Sequence, residues 1–274
     1  MGEEVITNDE YLAVDGIKTH VRFAGNGKPL LLLHGLGGPP MWQRIIKPLS
    51  AHNRVIILDL PGFGDSDCPP KSYTTVDYAD FIGYVHRMLA LPKMSIAGVS
   101  YGGQLAASLA ALHPEIVEKI IIISGTGLIA SNIFFRNRIL FDVFSKIAQS
   151  TVLRSRMLTC ALGRLSFYKK ESRPLDLCKE FYRQLSQKGK REAWLNVLRN
   201  IYTEKKEFLK IISTLQAPTL ILWGEKDKTV SLRYGLQLHN RISNSMFKIF
   251  PECAHSLPLE KPEELCEAIN SFLY

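Results

Sequence analysis

No apolar run in the 274 residues approaches the roughly 18–20 needed to span a membrane; the longest, around KPLLLLHG and EKIIIISG, have the length of buried strands. The opening MGEEVITNDEYLAVDG is acidic and lacks the basic-then-apolar order of a secretory signal. Ile6 stands where a myristoylation signal needs Ser or Thr. Cysteine is sparse: Cys68, Cys160, Cys178, Cys253 and Cys266 are odd in number, scattered, and contain no C-x-x-C pair. That pattern argues against a disulfide framework or a zinc site and fits a reducing cytoplasm. The seven histidines show no H-x-x-x-H or H-E-x-x-H spacing, so no metal is expected.

What is present is an ordinary globular balance, 46% hydrophobic and 22% charged, long enough for a large core and one α/β domain with an insertion. The net charge of +8 is unevenly placed. Residues 128–215 hold 18 Lys and Arg against 7 Asp and Glu, while the rest of the chain holds 16 against 19. All the excess positive charge therefore lies in one segment. Solvated helix faces account for it; the sharper reading is a weak contact with anionic membrane or an acidic substrate.

Along the chain, Asp15-Gly16 and Gly25-Asn26-Gly27 punctuate strands expected at Glu10–Val14, Thr19–Ala24 and Leu30–His34. A helix follows Pro40, then the strand RVIILDL, the loop PGFGDSD and a helix from about Thr75 to Ala90. KMSIAGVS, KIIIIS, PTLILWG and MFKIFPE read as further strands; GGQLAASLAALHP, Leu232–Ile242 and PEELCEAINSFLY read as helices. Continuous β-branched runs alternating with helices predict a mostly parallel sheet covered on both faces. The stretch from about Gly127 to Leu215 breaks this alternation with several amphipathic helices. It predicts a helical cap (128–215) over the sheet's carboxyl edge, inserted in a core domain of residues 1–127 and 216–274.

Residues 97–103 read AGVSYGG. Gly-x-Ser-x-Gly alone is cheap, since roughly one random chain of this length in ten would carry it. Here a short apolar strand precedes Ser100 and a small-residue helix follows, and Gly98 and Gly102 let the two approach closely. A hydroxyl needs a base to attack at neutral pH. His255, in the loop between the last strand and last helix, lies above the same sheet edge. The carboxylate that would orient it should also follow a strand; Asp227 is chosen, with Glu225 as the fallback. His34 is expected to structure its loop rather than act as a second base.

In this order Ser…Asp…His, with HGLGG at 34–38, DLPGFGDSD at 59–67, GVSYGG at 98–103 and WGEKD followed by CAH, the chain resembles the α/β-hydrolase fold, serine hydrolase branch. The likeness covers nearly everything but the cap. It implies an eight-stranded, mostly parallel sheet and an oxyanion hole formed by the backbone N–H groups of Leu36 and Tyr101. Serine at the elbow argues against branches that need aspartate there, such as epoxide hydrolases and haloalkane dehalogenases. Gly62-Phe63-Gly64 fails as a dinucleotide fingerprint because Asp67 holds the third glycine position, and no cofactor is expected. Trp42, Trp194 and Trp223 are expected as core or pocket lining; they do not interleave with the basic residues, so no nucleic acid is expected either.

Three functions remain. The first is hydrolysis of a carboxylic ester, lipid-like or lactone, through an acyl-enzyme on Ser100. The second is C–C bond hydrolysis in aromatic degradation; against it, such relatives usually carry an aromatic residue after the catalytic His and Ser after His-Gly, where this chain has Ser256 and Leu36. The third is a ligand-binding or signalling protein with slow turnover. All three take a small, apolar molecule, and the chain is expected to be a monomer or homodimer. Phe134, Phe135, Leu140, Phe141 and Phe144 either line an apolar pocket or pack the cap.

Overall fold

The computed structural model describes residues 8–129, 133–169 and 175–274. Strands β1 (Asn8–Val14) and β2 (Ile17–Ala24) form a hairpin, followed by β3 (Lys28–Leu33). A 3-10 turn at Pro39–Trp42 and the short α1 (Ile46–Ser50) lead to β4 (Asn53–Leu58), α2 (Thr75–Met88), β5 (Met94–Val99), α3 (Tyr101–Leu112) and β6 (Val117–Ile123). Six helices then precede the next strand: α4 (Ile133–Arg136), α5 (Arg138–Ser150), α6 (Arg156–Arg164), α7 (Leu175–Leu185), α8 (Lys190–Thr203) and α9 (Lys205–Ile212). The chain closes with β7 (Thr219–Gly224), α10 (Leu232–His239), β8 (Ser245–Phe250), α11 (Leu257–Glu260) and α12 (Pro262–Leu273).

The eight strands form one sheet in the order β1-β2-β4-β3-β5-β6-β7-β8. β2 is antiparallel to β1 and β4, and every later pairing is parallel. The apolar runs are continuous because both faces are covered. In β3, Leu31 and Leu33 face one core and Leu30 and Leu32 the other; β6 divides likewise, with Ile120 and Ile122 against Ile121 and Ile123. The α2–α3 side holds the larger core, and α1 and α12 close the opposite side. Element ends differ slightly from expectation. α2 stops at Met88 because Ala90 takes φ +48°, outside helical geometry.

The insert has a small core of its own, Phe141, Ala148, Leu153, Leu185 and Leu195, with Phe135 and Phe144 packed against it. Core packing is thus the outcome for Phe135, Phe141 and Phe144, while Leu140 is exposed and the Phe134 side chain lies outside the described residues. Cysteine brings a correction. Cys160 on α6 and Cys178 on α7 are joined as a disulfide, their Cα atoms 5.4 Å apart. The pairing depends on how two helices pack, which neither an odd count nor the lack of C-x-x-C reports. The step from cysteine usage to a reducing compartment loses its footing with it. No helix among the described residues is long and apolar enough to cross a membrane.

Candidate active site

The parallel strands end on one edge, and the predicted residues gather there. Ser100 sits between β5 and α3 with φ 57° and ψ −118°, a left-handed conformation that a non-glycine residue holds only when its surroundings impose it. The imposition comes from close packing on both sides. A Cβ on Gly98 would lie 2.0 Å from the Gly102 carbonyl oxygen, and one on Gly102 would lie 1.9 Å from that of Leu33. Only glycines let β3, β5 and α3 meet so tightly.

The loop after β3 reaches the same point. A Cβ on Gly35 would be 2.8 Å from Ser100 Cβ and 3.3 Å from the Tyr101 nitrogen. The Leu36 and Tyr101 N–H groups have no acceptor among the described residues. His34 holds this loop: Nδ1 donates to the Gly35 carbonyl at 2.8 Å, and Nε2 accepts from the Leu60 N–H at 3.2 Å. Burial pushes its pKa down, in keeping with the neutral tautomer those two bonds require.

Asp227 and His255 lie beyond β7 and β8. Asp227 Oδ2 accepts from His255 Nδ1 at 2.8 Å, and its Oδ1 takes the N–H groups of Thr229 and Val230 at 2.9 and 2.8 Å. Both side chains are buried. Glu225 instead lies at the surface beside Lys226. Ser100 and His255 line one cavity of about 590 Å³ without a hydrogen bond between them among the described residues. Such openness is common before substrate tightens a catalytic pair. Met41, Phe181, Trp194 and Leu259 supply much of the apolar wall, and Ser256 adds a buried hydroxyl with no partner among the described residues.

Lys190 and Glu204 were not singled out from sequence, whereas Trp194 takes the pocket-lining place that was one of the two roles expected of it. Trp194 on α8 lines the cavity and donates from Nε1 to the Leu36 carbonyl at 3.1 Å. Lys190, at the start of α8, is buried and donates to the Gly64 carbonyl, so the DLPGFGDSD loop is a seat for the insert. Gly62 faces Ala193 there, where a Cβ would come within 2.4 Å. Glu204 accepts from the Thr75 hydroxyl, which also meets Tyr101 Oη at 2.9 Å. Leu195, Val197 and Ile201 on α8 are buried, but the local sequence does not say what they cover.

Among the described residues one group of side chains could gather a cation: ligand atoms of His20, Asp59 and Asp65 lie within 4.8 Å of one another. They are already engaged. Asp59 Oδ2 takes His20 Nδ1 and the Asp65 N–H, each at 2.8 Å, and the guanidinium of Arg22 stands 3.9 Å from Oδ1. The hydrogen bond to Asp59 raises the His20 pKa. The set fits a structural clasp better than a metal centre.

The sequence pattern of the alpha/beta hydrolase fold matches residues 28–262. The chain belongs to this family. Among curated relatives, a 2-hydroxy-6-oxo-6-(2'-aminophenyl)hexa-2,4-dienoic acid hydrolase of Metapseudomonas resinovorans is 26% identical, covering 97% of this chain and 90% of its own. Among solved structures, a serine hydrolase involved in carbazole degradation superposes with a TM-score of 0.81 at 23% identity, over 98% of this chain and 99% of that one. An enol-lactonase from Burkholderia xenovorans gives 0.83 at 21%, over 96% and 99%. At those identities the two structures establish the hydrolase fold alone.

Proposed function

We propose that the chain is a serine hydrolase that attacks the carbonyl carbon of a small, mainly apolar substrate. In this reading Ser100 is the nucleophile, His255 the base and Asp227 the residue that holds the imidazole. The N–H groups of Leu36 and Tyr101 receive the oxyanion, with residues 128–215 as cap over a core of 1–127 and 216–274. The observation that carries it is that His255, held by the buried Asp227, lines the same cavity as the strained Ser100. Ser100 Oγ adds to the carbonyl as its proton passes to His255 Nε2. The tetrahedral oxyanion then collapses, and the leaving group departs with that proton. Water, activated by the same imidazole, releases the acyl group and restores Ser100.

Between the two bond types, the relatives favour C–C cleavage over the ester expected from sequence, because curated relatives at 24–27% identity are named as hydrolases of oxo-dienoic acids or of a muconate semialdehyde. A carbon leaving group departs only where its negative charge is delocalised, and a dienoate supplies that delocalisation. Leu36 and Ser256 favour the ester as second reading, since they depart from the usual pattern of C–C hydrolases. The test is a panel of 2-hydroxy-6-oxo-dienoates and acyl esters of graded chain length, each run with wild type and Ser100→Ala. Turnover of dienoates above esters, lost in the variant, supports the leading reading. Turnover of esters alone moves the assignment to the second, and activity surviving Ser100→Ala overturns the mechanism. Stoichiometric fluorophosphonate labelling of Ser100 without turnover on the whole panel would favour a binding or signalling role.

A further inference from the structure

Eight of the sixteen large hydrophobic side chains exposed among the described residues fall between residues 139 and 168. On α5, Ile139, Val143 and Ile147 recur every four residues, with Leu140 beside them, and Ile139 is 75% exposed. At about 100° per residue they fill an arc of about 100° that adjoins the arc burying Phe141 and Ala148. Half the apolar girth of this helix is therefore uncovered. Met157, Ala161 and Leu165 repeat the spacing along α6 and the turn after it, Met157 being 76% exposed.

Charge accompanies the stripe. Between residues 133 and 169 the sequence has seven Lys and Arg and a single acid, Asp142. Arg136, Lys146, Arg154, Arg156 and Arg164 are exposed and form no ion pair with any described residue. Elsewhere in the insert basic side chains do pair, as Lys179 with Asp176 and Arg183 with Glu180. Arg164 and Leu165, both exposed, also line the cavity that holds Ser100, so the α6 end of this surface reaches that cavity.

We propose that the outer face of α5, with α6 and its following turn, seats on an anionic lipid bilayer. The apolar stripe enters the headgroup–acyl boundary, the five cations meet headgroup phosphates, and the cavity opens toward the interface. A second copy of the chain is the rival occupant. A two-fold contact would set the same cations against one another, within a Debye length, whereas anionic headgroups neutralise them. The inference concerns binding and stands apart from the hydrolytic reading.

The experiment is flotation of the purified full chain with vesicles of phosphatidylcholine, with and without phosphatidylglycerol, at low and high salt. Association is expected with the anionic vesicles, weakening as salt rises. Replacing Lys146, Arg154 and Arg156 by Gln should lower it about 100-fold, at about fivefold per cation. The combination I139S, V143S and I147S should lower it at least tenfold with an unchanged melting temperature, since these side chains point outward. Ser100→Ala should associate like wild type, which separates failure here from failure of the proposed chemistry. Indifference to anionic lipid, binding insensitive to the Ser substitutions, or a dimer abolished by them without vesicle association would each overturn the proposal.

Discussion

After β7, Glu225 and Asp227 stand two residues apart, and their partners distinguish them. Asp227 spends one oxygen on His255 and the other on two backbone N–H groups, which fixes the carboxylate plane before the imidazole meets it. Glu225 touches Lys226 at 3.2 Å in solvent. Asp227→Asn keeps the shape but presents a donor where His255 needs an acceptor, so the imidazole is held in the wrong tautomer. On the proposed mechanism kcat/KM should fall by about 10⁴. Glu225→Gln should change it by less than about twofold, because an exposed pair contributes little. Steady-state kinetics on the best substrate of the panel checks both, and equal losses would displace Asp227 from its role. That Ser100, Asp227 and His255 would gather at one edge was legible in the sequence because each follows a predicted strand, and the ends of such strands mark a parallel sheet's carboxyl edge. Lys190 and Glu204 were not legible, nor was the hydrogen bond from Trp194 to the Leu36 carbonyl. They act across the seam between insert and sheet, and local periodicity does not encode how those two dock.

Elements meet at the elbow through missing side chains. Ala in place of Gly102 would gain about 1 kcal/mol in helix propensity. Its Cβ would also sit 1.9 Å from the Leu33 carbonyl oxygen, which belongs to a fixed strand. Overpacking of this kind costs about 1–3 kcal/mol or more, so the contact should outweigh the propensity. Gly102→Ala is expected to show a net loss of up to about 2 kcal/mol in urea unfolding and to slow labelling of Ser100 by moving α3 off β3. Gly163, on α6, has nothing within 4 Å of its Cβ position. There only propensity acts, and Gly163→Ala should gain up to about 1 kcal/mol. Opposite signs from one chemical change would show that close approach, and not helix formation, selects Gly102. Loss of stability in both would contradict that account. The Cys160–Cys178 link belongs to this scale as well: it joins α6 to α7 across 18 residues of sequence, so it follows from helix packing and not from spacing.

Across the whole molecule, the basic insert is tied to the rest of the chain by two charged side chains turned inward. Lys190 reaches the Gly64 carbonyl, and Glu204 reaches Thr75 at the start of α2. The Thr75 hydroxyl gives its proton to Glu204 and meets Gln104 Nε2 at 3.1 Å and Tyr101 Oη at 2.9 Å, so the tie ends at the residue after Ser100. Burial raises the Glu204 pKa above its usual 4.5, against the lowering effect of the Thr75 hydrogen bonds. A carboxyl with a raised folded pKa binds its proton more tightly when folded. Its contribution to stability is complete below the unfolded value and is lost as pH rises through the folded one. Glu204→Gln removes this dependence while retaining an oxygen for Thr75. Melting curves from about pH 4 to about pH 8 should therefore show wild type losing ground to the variant as pH rises, the change beginning in the carboxylate's ordinary range and extending above it. A constant difference between the two proteins would mean that Glu204 titrates normally and that its burial does not link insert to core. A drift of the opposite sign would mean that the Thr75 hydrogen bonds outweigh burial, and the tie would then strengthen with ionisation.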